Sequence, residues 1–447
     1  MNTKSAIRGV LACGLAGVVA LVGLSGCGST PAGQKKDAGP QGTYAFWPLA
    51  PDEPRIQFIG AYNSSEDVSK TEASGLEKAV FGKDVEQVAF VNKPYGISMR
   101  DGKIYICDIR GKSVVVMDLA KKQTRLMGTT GANKLERPVA IAIADDGEIY
   151  VADGVYGAVL IYDKNERFSR AIKIEKFKPA SMATFGDRLY IADLSRQQIL
   201  ILDRKKGSEL GVIGSVGDEP GQFRLPVGVT VDKKGDVYVS DMMRCVVQKF
   251  EPDGKLVWSL GQQGDAGGTF ARPKHLAVDA DGVIYVVDAA FQNVQMFNGD
   301  RKLLMHFGAA GDFPGAMNLP VGIVVSDKDL EFFKDKIYPG FEAKRLVLVA
   351  NQFGDGKVSV YAMGGLRSGY TIEQVAAVST KIELGVQETP SAEALKFQNV
   401  GGVEPTPEGA LQDSPPDEQP ADGATPGTKP EPKPETKPAT PPANPKP

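Results

Sequence analysis

The amino-acid sequence predicts an all-β fold, a six-bladed β-propeller, on three observations. A proline-headed pattern recurs six times between residues 90 and 364. Each copy contains short runs of β-branched and aromatic residues, separated by turns rich in Gly, Asp and Lys. The last copy lacks its fourth run, and a run of the same character stands alone upstream of the first copy.

Prolines mark the phase of the repeat. They are Pro94, Pro138, Pro179, Pro226, Pro273 and Pro320, spaced by 44, 41, 47, 47 and 47 residues. Each opens an apolar run such as Val227-Gly228-Val229, and the second run ends in an acid in the first five copies, as in Tyr150-Val151-Ala152-Asp153. A fixed period of roughly 20 to 50 residues indicates stacked supersecondary units. Four strands in each unit make one propeller blade.

The ends of the repeat region predict how the ring closes. The sixth copy stops after its third run, near Tyr361, whereas Arg55-Ile56-Gln57-Phe58-Ile59-Gly60 has the composition of a fourth strand. An open ring would leave one strand edge unpaired. We therefore predict that this N-terminal strand completes blade six.

Composition divides the rest of the chain. We predict a lipoprotein signal peptide at 1–26, a linker at 27–54, the propeller at 55–364 with an insertion at 63–90, a partly helical extension at 365–402 and a disordered tail at 403–447. The tail holds 14 of the 30 prolines and no aromatic residue, so it cannot bury enough apolar surface to fold. Within the insertion we expect a short helix near 72–80.

The N terminus resembles that of a bacterial lipoprotein. Lys4 and Arg8 precede an apolar stretch that ends in Leu24-Ser25-Gly26-Cys27, which is similar to a lipobox. The resemblance implies cleavage before Cys27, lipid on its thiol and a place in the cell envelope. Gly28, where an Asp would signal inner-membrane retention, implies the outer membrane. An ordinary secretory peptide followed by a chance cysteine is the alternative.

The residue pattern of the repeats resembles that of the NHL-repeat family. Each copy follows the order Pro-x-Gly-Ile/Val and Tyr-Val-x-Asp, and one linker reads Gly-Asp-x-Pro-Gly-Gln-Phe from Gly217 to Phe223. The resemblance implies a six-bladed propeller and two classes of function. Propellers of this family generally bind macromolecules on one face, whereas lyases and lactonases with related folds hold a metal in the central pore.

The predicted pore gives little support to the enzymatic class. Its strands contain one histidine, His275, and no carboxylate, whereas a catalytic zinc site keeps three protein ligands. The strand-end acids, from Asp108 to Asp288, are expected to accept hydrogen bonds from the backbone of the next turn. We predict no catalytic residue, no metal and no cofactor. A lyase- or lactonase-type enzyme with a pore active site is kept as the alternative.

One face of the predicted propeller is basic. The loops before the first strand and after the second share this face, and the first hairpin turns, rich in Asp, lie on the opposite face. This basic face consists of Lys93, Arg110, Arg137, Lys178, Arg196, Arg224, Arg244, Arg272 and Lys274, with Tyr95 and Phe291 among them. Arginine and aromatic residues are enriched at interface centres. Solvated charges with no binding role are the alternative.

These observations predict a lipid-anchored cell-envelope propeller that serves as a protein-binding scaffold or docking platform. The expected partners are another envelope protein, acidic in character, and the membrane through lipid on Cys27. The chain has 52 basic and 55 acidic side chains, a net charge of −3, so nucleic acid is not the expected partner.

Overall fold

The computed structural model describes residues 44–69 and 89–382. It contains six antiparallel sheets arranged as the blades of a propeller, and this confirms the predicted fold class. The innermost strand of each blade begins at one of the six repeat prolines. The predicted signal peptide, Cys27, the helix near 72–80 and the tail at 403–447 lie outside the described residues.

Blades one to five each contain four strands in chain order. Blade one holds β3 Pro94–Arg100, β4 Lys103–Asp108, β5 Ser113–Asp118 and β6 Gln123–Met127. Blade two holds β7 Pro138–Ile143, β8 Ile149–Asp153, β9 Ala158–Tyr162 and β10 Phe168–Lys173. Blade three holds β11 Pro179–Phe185, β12 Arg188–Asp193, β13 Gln198–Asp203 and β14 Glu209–Ile213, and the short strands β15 Ser215–Val216 and β16 Gln222–Phe223 follow it. Blade four holds β17 Pro226–Val231, β18 Val237–Asp241, β19 Val246–Phe250 and β20 Leu256–Leu260. Blade five holds β21 Pro273–Val278, β22 Ile284–Asp288, β23 Asn293–Phe297 and β24 Leu303–Phe307.

Blade six is assembled from both ends of the described chain. Its order is β1 Ala45–Trp47, β2 Ile56–Tyr62, β27 Val358–Leu366, β26 Phe341–Asn351 and β25 Pro320–Ser326. The pairing of β2 with β27 confirms that an N-terminal strand closes the last blade. Strand β1 falls in the range expected to be a linker, 27–54, and instead pairs with β2 in register Ala45 to Phe58.

The two terminal segments also contact each other. The Tyr44 N–H donates to the Val378 carbonyl at 3.2 Å, and the Thr380 N–H donates to the Tyr44 carbonyl at 2.6 Å. Between β27 and this junction, helix α1 spans Ile372–Val378 and starts at a Thr371 capping box. We call the Tyr44 to Thr380 pairing the terminal clasp, because it covers the outer edge of β1 that would otherwise lie open.

The first strands close a ring around the central axis. Strand β3 contacts β7, β7 contacts β11, β11 contacts β17, β17 contacts β21, β21 contacts β25 and β25 contacts β3. The strands approach closely, and a Cβ built on Gly322 would lie 2.2 Å from the Tyr95 carbonyl oxygen of the next blade. No helix among the described residues is both long and apolar enough to cross a bilayer.

Apolar side chains fill the space between neighbouring blades. One cluster joins Tyr105 and Val116 of blade one to Val151 and Leu160 of blade two. Cys107 lies in the same cluster as a buried free thiol, and Cys245 is likewise free and buried. Burial of this kind raises the pKa of the Cys107 thiol well above its usual range.

The insertion in blade six adds a short 3-10 helix, Leu330–Lys336, between β25 and β26. The Asp329 carboxylate beside it accepts from the backbone N–H of Gly102 in blade one at 2.7 Å. A second 3-10 turn, Ser65–Asp67, follows β2. The first of these segments ties blade six to blade one on the side opposite the basic face. The second lies beyond the other end of the blade, where the Asn63 side chain accepts from the N–H groups of Gly356 and Lys357.

Candidate functional site

The strand-end aspartates fix the loops of the basic face. Asp153 accepts backbone N–H groups of Glu136 and Arg137, in the loop before blade two, and of Val155 and Tyr156, in the turn after β8, at 2.7 to 3.0 Å. The aspartates that occupy the same position, Asp108, Asp193, Asp241 and Asp288, do the same. This confirms the structural role expected of these acids.

In blade six an amide replaces the acid. The Asn351 Oδ1 accepts from the Asn318 N–H at 3.3 Å, while its Nδ2 donates to the Gly356 carbonyl and the Ser359 hydroxyl. Fewer backbone N–H groups donate to Asn351 than to the aspartates. An amide can therefore replace the carboxylate at this position, provided that its own N–H groups have acceptors.

The turns after the second strands project apolar side chains from the basic face. Two residues beyond the strand-end acid or amide stand Val155, Met243 and Phe353, which are 65%, 66% and 43% exposed. They belong to blades two, four and six. In blade one the same position holds the exposed Arg110. Methionine and aromatic side chains are enriched in protein interfaces relative to the rest of the surface.

The predicted basic residues differ in how far their charges are already neutralised. Arg224 pairs with Asp218, with Nε to Oδ1 at 2.9 Å, and Arg196 pairs with Glu209 at 3.0 Å. The Arg244 guanidinium donates to the Gln222 carbonyl at 2.6 Å. The Lys93 ammonium lies 5.9 Å from the centroid of the Phe353 ring.

For three other cations of this face, the described part of the chain provides no ion-pair partner. Within residues 44–69 and 89–382, no carboxylate forms an ion pair with Arg110, Arg137 or Lys178. Tyr95, Arg272 and Lys274 are engaged in contacts, and Phe291 is half-buried with its backbone N–H on Asp288. The structure therefore brings the predicted residues to one face, with charge concentrated on a subset of them.

Several acids on the opposite face are paired with arginines of a neighbouring blade. Arg345 of blade six is 5% exposed and contacts Asp279 and Asp281 of blade five. In the same way, Arg204 of blade three reaches Asp146 of blade two at 2.9 Å and Glu148 at 3.2 Å. Hydrogen bonds from Arg170, Tyr150 and Lys205 outweigh desolvation and lower the pKa of Glu148 to about 2.

The central channel is narrow at the level of His275. This side chain is 6% exposed, and its ring centroid lies 5.3 Å from that of Tyr95 in an edge-on arrangement. Burial, and to a lesser extent the charge on Lys274, lowers the pKa of His275 to about 4, so the imidazole is neutral at neutral pH. Among the described residues, no group of three or more His, Cys, Asp or Glu side chains is arranged to hold a metal ion.

The chain is distantly similar to several solved structures. No family profile matches it. A structural genomics protein of unknown function from Bacteroides thetaiotaomicron is 17% identical, with a TM-score of 0.46 over 62% of this chain and 70% of that one. Virginiamycin B lyase from Staphylococcus aureus is 11% identical, with a TM-score of 0.42 over 61% and 95%. Hydrazine synthase from Kuenenia stuttgartiensis is 15% identical, with a TM-score of 0.41 over 59% and 77%. These similarities concern the fold alone.

Proposed function

We propose that the chain is an NHL-type propeller, anchored in the bacterial outer membrane by lipid on Cys27, which docks an acidic envelope protein on its basic face. The observation that carries the proposal is the combination found on that face. Val155, Met243 and Phe353 project from the turn tips, and Arg110, Arg137 and Lys178 lack ion-pair partners within the described residues.

Interface physics supports this assignment. Exposed methionine and aromatic side chains interspersed with arginines are typical of protein-binding surfaces. Unpaired cations favour an acidic partner because they steer its approach and penalise basic competitors. The opposite face is less suited, because part of its acidic charge is already paired with Arg204 and Arg345.

Site-specific photo-cross-linking in cells tests which face meets the partner. A benzophenone amino acid placed at Val155, Met243 or Phe353 should capture one neighbouring envelope protein. The matched controls are Phe168 and Phe185, which are 41% and 39% exposed and lie at turns of the opposite face. Capture from the controls alone would contradict the proposal.

Charge reversal tests the cations separately from the apolar tips. The variant with Arg110→Glu, Arg137→Glu and Lys178→Glu should lose the captured neighbour, because like charges set against an acidic partner cost several kcal/mol. Its melting temperature should change little, since surface substitutions usually cost less than about 0.5 kcal/mol each. The control variant carries Lys164→Glu, Lys234→Glu and Lys302→Glu, at exposed turns of the opposite face. Loss of the neighbour in the control, with retention in the first variant, would reverse the assignment of the faces.

The anchor has its own test. Replacement of Cys27 by Ser should move the protein from the membrane fraction to the soluble fraction with its fold unchanged, because the attached acyl chains supply the membrane affinity. Fractionation with immunoblotting measures the distribution. A Cys27→Ser variant that stays with the membrane would refute the lipid anchor and leave the docking face untouched.

A further inference from the structure

His275 closes the central channel. It lies on β21 of blade five, yet its ring contacts Tyr95 of blade one and hydrogen-bonds to the backbone of Ala180 in blade three. Neither blade adjoins blade five, because β21 contacts β17 and β25. A side chain that touches three alternate blades must lie across the axis. The mouth on the basic face is therefore a cup with a floor.

Cations stand at the rim of this cup. Lys93, Arg137 and Lys178 immediately precede the prolines that open the innermost strands of blades one, two and three. Their backbone N–H groups are held by Asp108, Asp153 and Asp193, which fixes the point from which each side chain extends. No carboxylate of the described residues forms an ion pair with Arg137 or Lys178, and Lys93 lies over the Phe353 ring.

We propose that this cup binds the carboxylates of an acidic peptide segment that the docked partner inserts at the propeller axis, an inference that rests on the proposed function. The cations attract negative charge, and the floor formed by His275 and Tyr95 stops the segment from passing through the channel. The floor residue is itself uncharged at neutral pH, so the positive charge lies at the rim. Apolar tips at Val155, Met243 and Phe353 around the cup favour a protein over a polyanion.

The chain supplies its own reporter for this site. It contains two histidines, His275 at the floor of the cup and His306 on β24, the outermost strand of blade five. His306 is exposed. Protein labelled with ¹³C at the histidine Cε1 therefore gives two NMR signals, and His306→Gln assigns them.

The experiment titrates the full-length labelled chain, in mild detergent at low salt, with a hexaglutamate peptide. The His275 signal should shift saturably while the His306 signal stays in place. In the variant with Lys93→Gln, Arg137→Gln and Lys178→Gln, the apparent Kd should rise about tenfold or more. The control variant with Lys164→Gln, Lys234→Gln and Lys302→Gln should bind as the wild type does. An unchanged position of the His275 signal without peptide shows that each variant is folded.

Four results would overturn the inference, and the first three concern how binding occurs. The first is that fluorescence anisotropy detects peptide binding while the His275 signal does not move. The second is that the control variant loses as much affinity for the peptide as the Lys93, Arg137 and Lys178 variant does. The third is that a thymidine oligonucleotide binds more tightly than the peptide and shifts the His275 signal in the same way. Absence of any binding would also overturn it. In each case, continued cross-linking from Met243 and Phe353 in cells would show that the docking face itself stands and that the acidic segment does not enter the cup.

Discussion

The two faces of the propeller use their acidic residues differently. On the basic face the strand-end aspartates bind backbone N–H groups, as Asp153 does with Arg137 and Tyr156. On the opposite face acids bind cationic side chains of the next blade, as Asp279 does with Arg345. The first arrangement organises loops and leaves cationic side chains available. The second neutralises charge and joins blades.

The difference shows that a count of charges does not describe a surface. The first turns of the opposite face are rich in aspartate in the sequence, yet Arg204 contacts both Asp146 and Glu148, and Lys249 lies 2.7 Å from Asp236. These pairs are partly exposed, whereas Arg345 and Asp279 form a buried pair, which stabilises the fold only while both partners are present. The opposite face should therefore be the more sensitive of the two to loss of one charge.

The largest effect is expected at Arg345. Replacing it by Ala leaves the carboxylates of Asp279 and Asp281 without their cation, and breaking a buried ion pair costs about 3 to 5 kcal/mol. Urea unfolding at neutral pH measures the loss. Arg188→Ala is the matched control, because this exposed arginine donates to the Pro252 carbonyl and to no carboxylate that the described residues provide. A loss below about 1 kcal/mol for Arg345→Ala would show that the opposite face does not depend on this cluster.

An intermediate effect is expected at Asp153, on the basic face. Asp153→Ala leaves four backbone N–H groups without their acceptor and should cost about 2 to 3 kcal/mol. Asp153→Asn should cost roughly half as much, because Asn351 occupies the equivalent position in blade six. Thermal unfolding compares the two variants. Equal losses would mean that the negative charge, rather than the acceptor geometry, holds these loops.

The smallest effect concerns the pH dependence of the opposite face. Because the pKa of Glu148 is lowered from 4.5 to about 2 in the folded chain, its ionised form contributes stability above the unfolded value, and that contribution is lost as the pH falls towards 2. Glu148→Gln should therefore lower stability at pH 7 by about 1 kcal/mol or less. The difference from wild type should vanish near pH 2. Urea midpoints between pH 7 and pH 2 measure it, with Asp145→Asn as the exposed control.

The ring could be predicted from the sequence because its signals are local and repeated. Each proline and each strand-end acid lies within one blade, so six copies reinforce the same assignment. Strand β1 was missed because three residues between proline-rich stretches have no periodicity of their own. Strand β1 forms because it pairs with β2 and because Tyr44, next to it, bonds to Val378 and Thr380. Val378 and Thr380 lie more than 300 positions away in the sequence.

The candidate site was predictable in outline only. The order of the loops was enough to predict that the cationic residues lie on one face. Which of these cations form ion pairs depends on the positions of acids such as Asp218 and Glu209, which the sequence pattern does not reveal. Val155 and Met243 were missed, although a signal existed: they share with the aromatic residue Phe353 one position, two residues beyond the strand-end acid or amide. Aligning the repeats at that position and looking for large apolar residues would have found them.

The terminal clasp determines where the two ends of the described chain leave the propeller. The described chain enters at Tyr44 and leaves just after Thr380, and these two residues are hydrogen-bonded to each other on the rim of blade six. In a ring of six blades, blade three lies diametrically across from that point. Both ends of the described chain therefore leave the propeller at the same point of its circumference, so whatever continues from either end is joined to the edge of the disc and not to the centre of a face.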